Sequence, residues 1–334
     1  MKLLFSANMT YWRFIGGLFL FCFYCVNLNA VLVDSRKLIY TDLNGQTKQF
    51  YLFGDVHRSS QADQEQLTAM QSILTNRESK ETDLLHILIE QPTSVVRMFN
   101  EEVPTVLMDL TQRVNGLNHT RAENTEIRCV AHAATFLFQP DFDFNPCEVF
   151  PEMVFDTAKK QCVVEKVTVA DLIDEFLLYK GKIQQFKNSN VSQSIKKIIE
   201  KEISTLEQKY EKFFKVIRKL SISNDESLLT ISQKMYQDEQ HNARESIHLG
   251  IRDLFAHLFD LYIFKRMIKL DVSKIALIAG FLHTIFVKQM LEEAGATVLV
   301  FHTSNFGVNN VVPLEPKYLD IFTELPWYDR CTVL

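Results

Sequence analysis

The sequence predicts an α/β fold, built as an α+β-like mixed sheet flanked by helices and carrying a long α-helical insertion. Short apolar runs typical of buried strands lie near both ends of the chain, and each is followed by a helical pattern. Between them, residues 166–270 show helical periodicity throughout. The chain has 334 residues, of which 47% are hydrophobic and 23% charged, the usual balance for a globular protein with a large core.

Residues 1–30 have the pattern of an export signal. Lys2 and Arg13 precede an apolar run at 14–26, which is shorter than the ~20 residues that span a membrane. This segment is therefore predicted to be a cleaved signal peptide or an uncleaved membrane anchor. The rest of the protein would be secreted, periplasmic or anchored facing outward, with any membrane contact through this segment. The formal net charge of -5 argues against nucleic acid as a partner.

The region 37–165 is expected to form the first part of the α/β domain. Lys37–Tyr40 and Gln49–Phe53 have the pattern of hairpin strands around the turn "DLNG", and Gln61–Thr75 carries apolar residues at helical spacing. Asp83–Glu90 is an almost continuous apolar run that ends before a proline, as expected of a strand buried on both faces. Three further elements are predicted: a helix at Ser94–Val114, a strand at Thr125–Ala131 and a loop at Gln139–Pro151.

The helical insertion contains a seam of apolar residues at alternating steps of four and three, which is typical of paired helices. A second long helix is predicted over 224–269. The seam either packs against a helix of the same chain or presents a surface to a partner protein. Residues 271–334 then return to the α/β domain with a strand, a glycine, a helix and another strand. The seam consists of Ile199, Ile203, Leu206, Tyr210, Phe213, Ile217 and Leu220.

Two segments share the pattern of an apolar strand, then Gly-x-x-His, then a helix. They are "FYLFGDVH", with Gly54 and His57, and "IALIAGFLH", with Gly280 and His283. A third Gly-x-x-His, Gly116–His119, follows a helix and is interpreted as a helix cap with an exposed loop. In α/β sheets, ligand sites collect beyond the carboxyl ends of strands, where glycine permits a sharp turn and lets a ligand or cofactor approach the backbone. Neighbouring strands would bring the two histidines together.

A carboxylate is expected on the same edge, because Glu90 ends a third apolar strand. With His57 and His283 it would make a site for a divalent metal of the Mn, Co or Zn class, with open positions for water. The alternative is that each histidine is a hydrogen-bonded structural residue. Asp55 is a metal ligand, a partner of a ligating histidine or a turn former. Arg244 either orients Glu90, binds substrate oxygens or lies on exposed helix surface.

Several other site classes are absent from the sequence. The cysteines after the leader have no C-x-x-C spacing, which argues against a zinc ribbon, although Cys147 and Cys162 could close a disulfide loop in an exported protein. The "GDVH" motif resembles the start of a calcineurin-like phosphoesterase, but Arg58 stands where that motif has glycine and the later motifs are missing. There is no serine elbow, P-loop or dinucleotide fingerprint.

The motifs Gly54–His57, Glu90, Arg244 and Gly280–His283 together resemble the TraB/Tiki superfamily, with its ChaN-like and erythromycin-esterase-like relatives. The resemblance covers roughly 37–95 and 235–303. It implies a metal-dependent hydrolase, most often a Tiki-type peptidase, that acts on a peptide or small molecule outside the membrane. It further implies that Glu90 binds the metal or acts as a base, and that Arg244 stabilises negative charge. The alternative is a non-catalytic member that binds a ligand such as haem, or another protein.

Overall fold

The structure is a computed structural model that describes part of the chain. The predicted leader lies outside that part except for Ala30, and so does most of the loop predicted at Gln139–Pro151. Among the described residues, no helix is both long and apolar enough to cross a membrane. The described residues are 30–57, 62–90, 93–95, 106–139, 154–304 and 313–322, with only the backbone described for some of them.

A six-stranded mixed sheet with helices on both faces forms the centre of the fold, which confirms the predicted α/β class. Its spatial order is β5-β3-β8-β2-β1-β9, and a second sheet contains three short strands in the order β4-β6-β7. In chain order, the strands are β1 Ala30–Thr41, β2 Thr47–His57, β3 Leu85–Ile89, β4 Thr93–Val95, β5 Thr120–Asn124, β6 Val154–Asp156, β7 Gln161–Val163, β8 Lys274–Gly280 and β9 Thr297–Thr303.

Four parallel strands, β5, β3, β8 and β2, place their carboxyl ends on one edge of the sheet. Strand β8 comes from the C-terminal part of the chain but lies between β2 and β3, with Gly280 opposite Asp55. The hairpin predicted from "DLNG" is confirmed. Asp42 accepts hydrogen bonds from the backbone N–H groups of Asn44 (2.8 Å) and Gln46 (3.0 Å), and Gly45 has a φ of 77°.

The helical insertion is confirmed as a series of long helices. The single helix predicted over 224–269 is two helices, because α6 ends at Gln237 and the chain turns through Glu239, whose φ is 53°. The described helices are α1 Ala62–Glu78, α2 Val106–Val114, α3 Cys129–Leu137, α4 Val169–Lys187, α5 Gln193–Lys219, α6 Leu228–Gln237, α7 His241–Lys269 and α8 Phe281–Glu293.

Two predictions between β3 and α4 are wrong. The helix predicted from Ser94 does not begin there, because Thr93–Val95 pairs with β6 as a strand. The strand predicted at Thr125–Ala131 lies earlier, at Thr120–Asn124, and the apolar residues from Cys129 onward form helix α3. The cause is physical: β5 is a polar edge strand, whereas the short apolar run that follows is a buried helix, and periodicity does not distinguish the two in so few residues.

The insertion shares one hydrophobic core with the sheet. Leu38 and Phe50 of the sheet belong to the same buried cluster as Phe176 of α4 and Phe255 of α7. The predicted seam packs within the chain, because α5 runs antiparallel along α7. Lys209 Nζ lies 2.8 Å from Asp253 Oδ1, and Glu202, earlier on α5, contacts His257, later on α7. Helices α4 to α7 therefore cover one face of the sheet and bring α7 to its carboxyl edge.

A disulfide bond joins Cys129, the first residue of α3, to Cys162 in β7, with a Cα–Cα distance of 6.2 Å. The pairing predicted between Cys147 and Cys162 is therefore wrong, and Cys147 lies outside the described residues. Closing a loop of this length stabilises a folded chain by about 3–4 kcal/mol in the loop-entropy treatment. The bond fixes the start of α3 next to the site described below.

Candidate functional site

Six buried or nearly buried ionisable side chains meet at the carboxyl edge of the parallel strands, and we call them the rim cluster. Asp55 lies near the end of β2, and Glu90 directly follows β3. Glu126 and Arg128 lie shortly after β5, and His283 lies in the first turn of α8, which follows β8. One further acid comes from α7. The members are Asp55, Glu90, Glu126, Arg128, Asp260 and His283.

Gly280 is the point at which Glu90, Asp55 and His283 converge. Its backbone N–H donates to Glu90 Oε2 at 2.8 Å. A Cβ placed on Gly280 would lie 3.4 Å from His283 Cδ2, 3.5 Å from Glu90 Oε2 and 3.8 Å from Asp55 Oδ1. The structure thus brings these three predicted site residues together. Gly280 binds Glu90 through its backbone, which differs from the cofactor contact expected of it.

Gly54 has a different role from the predicted one. It lies inside β2 rather than in a turn, and α8 packs directly on it. A Cβ at this position would lie 2.9 Å from Thr284 Oγ1, 3.0 Å from Phe281 Cδ2 and 3.2 Å from Asp34 Cβ. A cofactor therefore cannot approach the backbone here, and the glycine instead allows the helix that carries His283 to sit close to the sheet.

We expect Gly54→Ala to lower the free energy of unfolding by roughly 1–3 kcal/mol, because the methyl group would overlap α8. The matched control is Gly181→Ala in α4, where an added Cβ meets no atom within 4 Å. That variant should be unchanged or stabilised by up to ~1 kcal/mol, since alanine favours a helix interior over glycine. Urea unfolding of both variants tests this, and equal effects at the two positions would contradict the close packing.

Arg128 is a member of the rim cluster that the sequence did not point to. Its Nη2 donates to Glu90 Oε1 at 2.5 Å and to Glu126 Oε2 at 2.7 Å, and its Nε donates to Glu126 Oε1 at 2.9 Å. The guanidinium also lies 4.1 Å from the centre of the Phe259 ring. Although burial opposes it, the two carboxylates raise the pKa of Arg128, so this group stays charged.

Glu126 is completely buried and binds the backbone that directly precedes α3. Its Oε1 accepts from the backbone N–H groups of Ile127 (2.9 Å) and Arg128 (2.8 Å), and His132 Nε2 lies 3.1 Å from its Oε2. Burial would raise the pKa of Glu126, but the charges of Arg128 and His132 hold it well below the ordinary value. The carboxylate therefore stays ionised and fixes the position of the arginine.

His283 is held by Asp260 and faces Glu90. Its Nδ1 lies 2.5 Å from Asp260 Oδ1, while its Nε2 lies 3.4 Å from Glu90 Oε1 and 3.3 Å from Arg128 Nη1. The edge of the imidazole ring packs on Phe259, and the side chain is 16% exposed. Burial opposes protonation, but the carboxylates of Glu90 and Asp260 raise the pKa of His283 above its ordinary value of 6.5. Burial also raises the pKa of Asp260.

Of the three roles that the sequence left open for Arg244, two are excluded, because it is buried and lies far from Glu90, whereas binding of substrate oxygens stays a prediction. Arg244 is buried in the first turn of α7, about 24 Å along the helix axis from Asp260. There its Nη2 donates to the Gln139 carbonyl oxygen at 3.0 Å, and its guanidinium lies 5.2 Å from the centre of the Tyr236 ring. Arg128 occupies the place beside Glu90 that was expected for Arg244.

A permanent positive charge already lies beside two of the predicted metal ligands, Glu90 and His283. Glu90 Oε1 and His283 Nε2 are 3.4 Å apart, a separation that one ion could bridge at bond lengths of about 2.1 Å. The permanently charged guanidinium of Arg128 already donates to that oxygen and lies beside that nitrogen. Among the described residues, no group of three or more His, Cys, Asp or Glu side chains is arranged to hold a metal.

His57, the other predicted ligand, is the last residue of β2, opposite Ala30 in the β1–β2 ladder. Only its backbone belongs to the described part of the chain, so its role as a ligand stays a prediction. The predicted structural histidines of α7 have local partners, with His257 Nε2 2.8 Å from Glu202 Oε2 and His248 Nδ1 3.1 Å from the Thr135 carbonyl oxygen.

Glu175 of α4 binds the first turn of α3, which directly follows Arg128 of the rim cluster. It accepts hydrogen bonds from the backbone N–H groups of Val130 (2.9 Å) and Ala131 (3.0 Å) at the start of α3. This position suits a carboxylate, because the amino end of a helix carries partial positive charge. Burial nevertheless raises the pKa of Glu175 to about 7.

We therefore expect Glu175 to destabilise the protein as the pH rises. Between its ordinary pKa of 4.5 and about 7, the folded state binds a proton that the unfolded state has released. The free energy of unfolding should fall by roughly 3 kcal/mol across that window and then level off. Urea unfolding from pH 4.5 to 8 measures this slope. Glu175→Gln should lose that part of it, and parallel curves for the two proteins would refute the assignment.

Comparison of the chain with protein-family models, with curated proteins and with solved structures finds no match. The resemblance to the TraB/Tiki superfamily therefore stays a prediction from the motifs. The function proposed below rests on the geometry of the rim cluster.

Proposed function

We propose that this protein is an exported or membrane-associated hydrolase that cleaves an acyl bond, such as a peptide or ester, at the rim cluster. One observation carries the proposal. A histidine whose Nδ1 is held by a buried aspartate turns its Nε2 toward a buried arginine, at the carboxyl edge of a parallel sheet. Ligand sites of α/β proteins collect at this edge.

His283 is the general base of the proposed reaction. Asp260 accepts a hydrogen bond from the Nδ1–H of His283, which fixes the tautomer in which Nε2 has a lone pair, as the aspartate does in hydrolase triads. The neutral ring takes a proton from a water molecule as that water attacks the carbonyl carbon, and it then returns the proton to the leaving group. The imidazole ring and Asp260 both line a surface cavity, through which a substrate would reach His283.

Arg128 is the group that stabilises the negative charge on the carbonyl oxygen. Its guanidinium stays charged and lies 3.3 Å from His283 Nε2, so it is close to the carbonyl group that the activated water attacks. Glu90 and Glu126 hold the guanidinium in place, and Glu90 also fixes the Gly280 turn. Glu90 is therefore a positioning residue in this proposal, in place of the base or metal ligand expected from the sequence.

The disulfide between Cys129 and Cys162 supports the exported location, because such bonds persist in oxidising compartments. It agrees with the export signal expected at residues 1–30. The disulfide also ties the segment that carries Arg128 to the second sheet.

The first test is turnover of p-nitrophenyl acetate, p-nitrophenyl octanoate and a quenched fluorescent peptide library by the full-length chain. We expect hydrolysis that survives dialysis against EDTA, since the charged guanidinium of Arg128 lies where an ion between Glu90 and His283 would bind. Loss of activity that a divalent ion restores would instead support the metal centre expected from His57, Glu90 and His283. A folded protein that hydrolyses neither esters nor peptides would contradict the hydrolase proposal.

Asp260→Asn is expected to change the pH dependence of that reaction. The rate needs neutral His283, so in the native protein it should rise with pH through a pKa above 6.5. Removing the Asp260 carboxylate lowers the pKa of His283, and the rising limb should move to lower pH. The maximal rate should also fall by roughly 10²–10⁴, because Nδ1 loses its acceptor. An unmoved limb would exclude His283 as the base.

A binding protein without catalysis is the second candidate, and the cavity beside His283 favours it. Such a protein would retain a ligand, for example haem, and would fail the turnover test above. Absorption spectra of the purified protein before and after addition of haem distinguish the two roles, since an imidazole ligand shifts the haem absorption band.

A further inference from the structure

A groove between α5, α7 and α8 ends at the rim cluster, and its volume of about 860 Å³ is that of a small-molecule site. One face of α7 lines it from Ser246 to Asp260, a span of about 21 Å along the helix axis. Lys209 to Val216 of α5 line one wall, and the first turns of α8 line the end that contains His283.

Much of the groove surface is formed by apolar side chains, and several of these side chains are exposed to solvent. Leu282 is 66% exposed, Phe286 51% and Leu249 45%, so three large apolar side chains are only partly covered by the protein. Single exposed apolar side chains are common on protein surfaces, but several that line one groove indicate a surface that a ligand covers. The apolar lining residues are Phe213, Val216, Leu249, Ala256, Leu282 and Phe286.

Positive charge lies along the side of the groove. Lys209 is paired with Asp253 at 2.8 Å, and Asp260 is held by His283. In the part of the chain that the structure describes, Lys212 and Arg252 have no carboxylate partner, and both are exposed. Arg252 lies about 12 Å along α7 from Asp260, well separated from the reacting end. Both cations are available to a negatively charged ligand group.

We propose that this groove binds an amphiphile with an apolar acyl chain and an anionic group. The chain lies against Leu249, Leu282 and Phe286, and the anionic group pairs with Lys212 and Arg252. This inference rests on the proposed function in one respect: the scissile carbonyl of such a substrate lies at His283, at the end of the groove. The binding of the amphiphile itself does not require catalysis.

The test is binding of dansyl-labelled undecanoic acid, an anionic amphiphile, to the full-length chain by fluorescence titration. Leu282→Ser combined with Phe286→Ser should weaken binding at least about tenfold, since two large apolar contacts are lost. Leu178→Ser is the matched control, because Leu178 is 53% exposed on α4 outside the groove. An equal loss in the control would overturn the proposal.

Charge reversal tests the anionic end of the ligand. Lys212→Glu combined with Arg252→Glu should weaken binding of the acid roughly tenfold and leave binding of its methyl ester unchanged. Lys197→Glu, on α5 away from the groove, should affect neither. Binding of acid and ester that falls equally in the double variant would show that no anionic group is recognised.

The same probe separates the groove from the hydrolase proposal. His283→Gln should bind the dansyl acid normally, because the ring is not needed to hold the chain. Binding without turnover of any ester would refute the hydrolase and retain the groove. Turnover of p-nitrophenyl acetate without binding of the dansyl acid would refute the groove alone. Binding to vesicles containing phosphatidylglycerol, but not to the monomeric probe, would assign this face to a membrane surface and overturn the proposal.

Discussion

His283→Gln should reduce ester or peptide hydrolysis by roughly 10²–10⁴, the usual contribution of a general base. Glutamine retains an amide group that can reach Asp260, so the buried carboxylate keeps a partner and the fold is preserved. It has no titratable nitrogen and cannot take a proton from water. The measurement is kcat on p-nitrophenyl acetate together with urea unfolding of the same preparation.

His257→Gln is the matched control for this variant. His257 also lies beside a carboxylate, with Glu202 2.8 Å away, but it lies between α5 and α7 and outside the rim cluster. It should lose a similar amount of stability and retain its activity. His283→Ala offers a further readout, because imidazole added to the solution should restore part of the rate. A rate that His283→Gln leaves unchanged would remove the histidine from the mechanism.

Arg128→Met is expected to have the largest effect on stability, a loss of roughly 3–5 kcal/mol in the free energy of unfolding. The change leaves the buried carboxylates of Glu126 and Glu90 without their cation, and an uncompensated buried charge is costly. Methionine has similar length and fills most of the space, so the loss is mainly electrostatic. Urea unfolding at pH 7 measures it, and the loss should shrink at acid pH as Glu126 becomes protonated.

Two further variants define the origin of this effect. Arg218→Met removes an arginine from an exposed pair with Glu211 and should cost less than about 1 kcal/mol. Arg128→Met combined with Glu126→Gln should recover part of the stability lost in the single variant, because one buried charge is neutralised. If the double variant loses as much as the two single changes added together, Arg128 and Glu126 are not coupled, and the charge explanation is wrong.

The parts of the fold that could be predicted from the sequence are those with strong periodicity. The central strands β2, β3 and β8 are apolar runs with a glycine or a proline near their ends, and the sequence locates them within a few residues. The long helices carry a regular apolar stripe. Glu90 and Gly280 were recognised because each stands at the end of such a run, and the structure places the two in direct contact.

Arg128 could not be located from the sequence because it follows a strand with no apolar pattern. Strand β5, "TRAEN", lies at the edge of the sheet and is held by its backbone pairing with β3. Asp260, in contrast, left a signal in the sequence. It is an acid within the apolar helical run "HLFDLYIF", where a buried charge needs a partner. Arg244 is also buried, but it lies in a polar stretch in the first turn of α7, far from the rim cluster.

The position of β8 between β2 and β3 has a consequence for how the protein is made. Strand β8 is synthesised long after its neighbours β2 and β3. Each of these two strands therefore has an unpaired apolar edge while the helices that precede β8 are synthesised. Folding that depends on contacts between distant parts of a chain is slow. A chain that is truncated before Lys274 would expose both edges and would be prone to aggregate. We expect chaperones to bind the nascent chain mainly before β8 is synthesised.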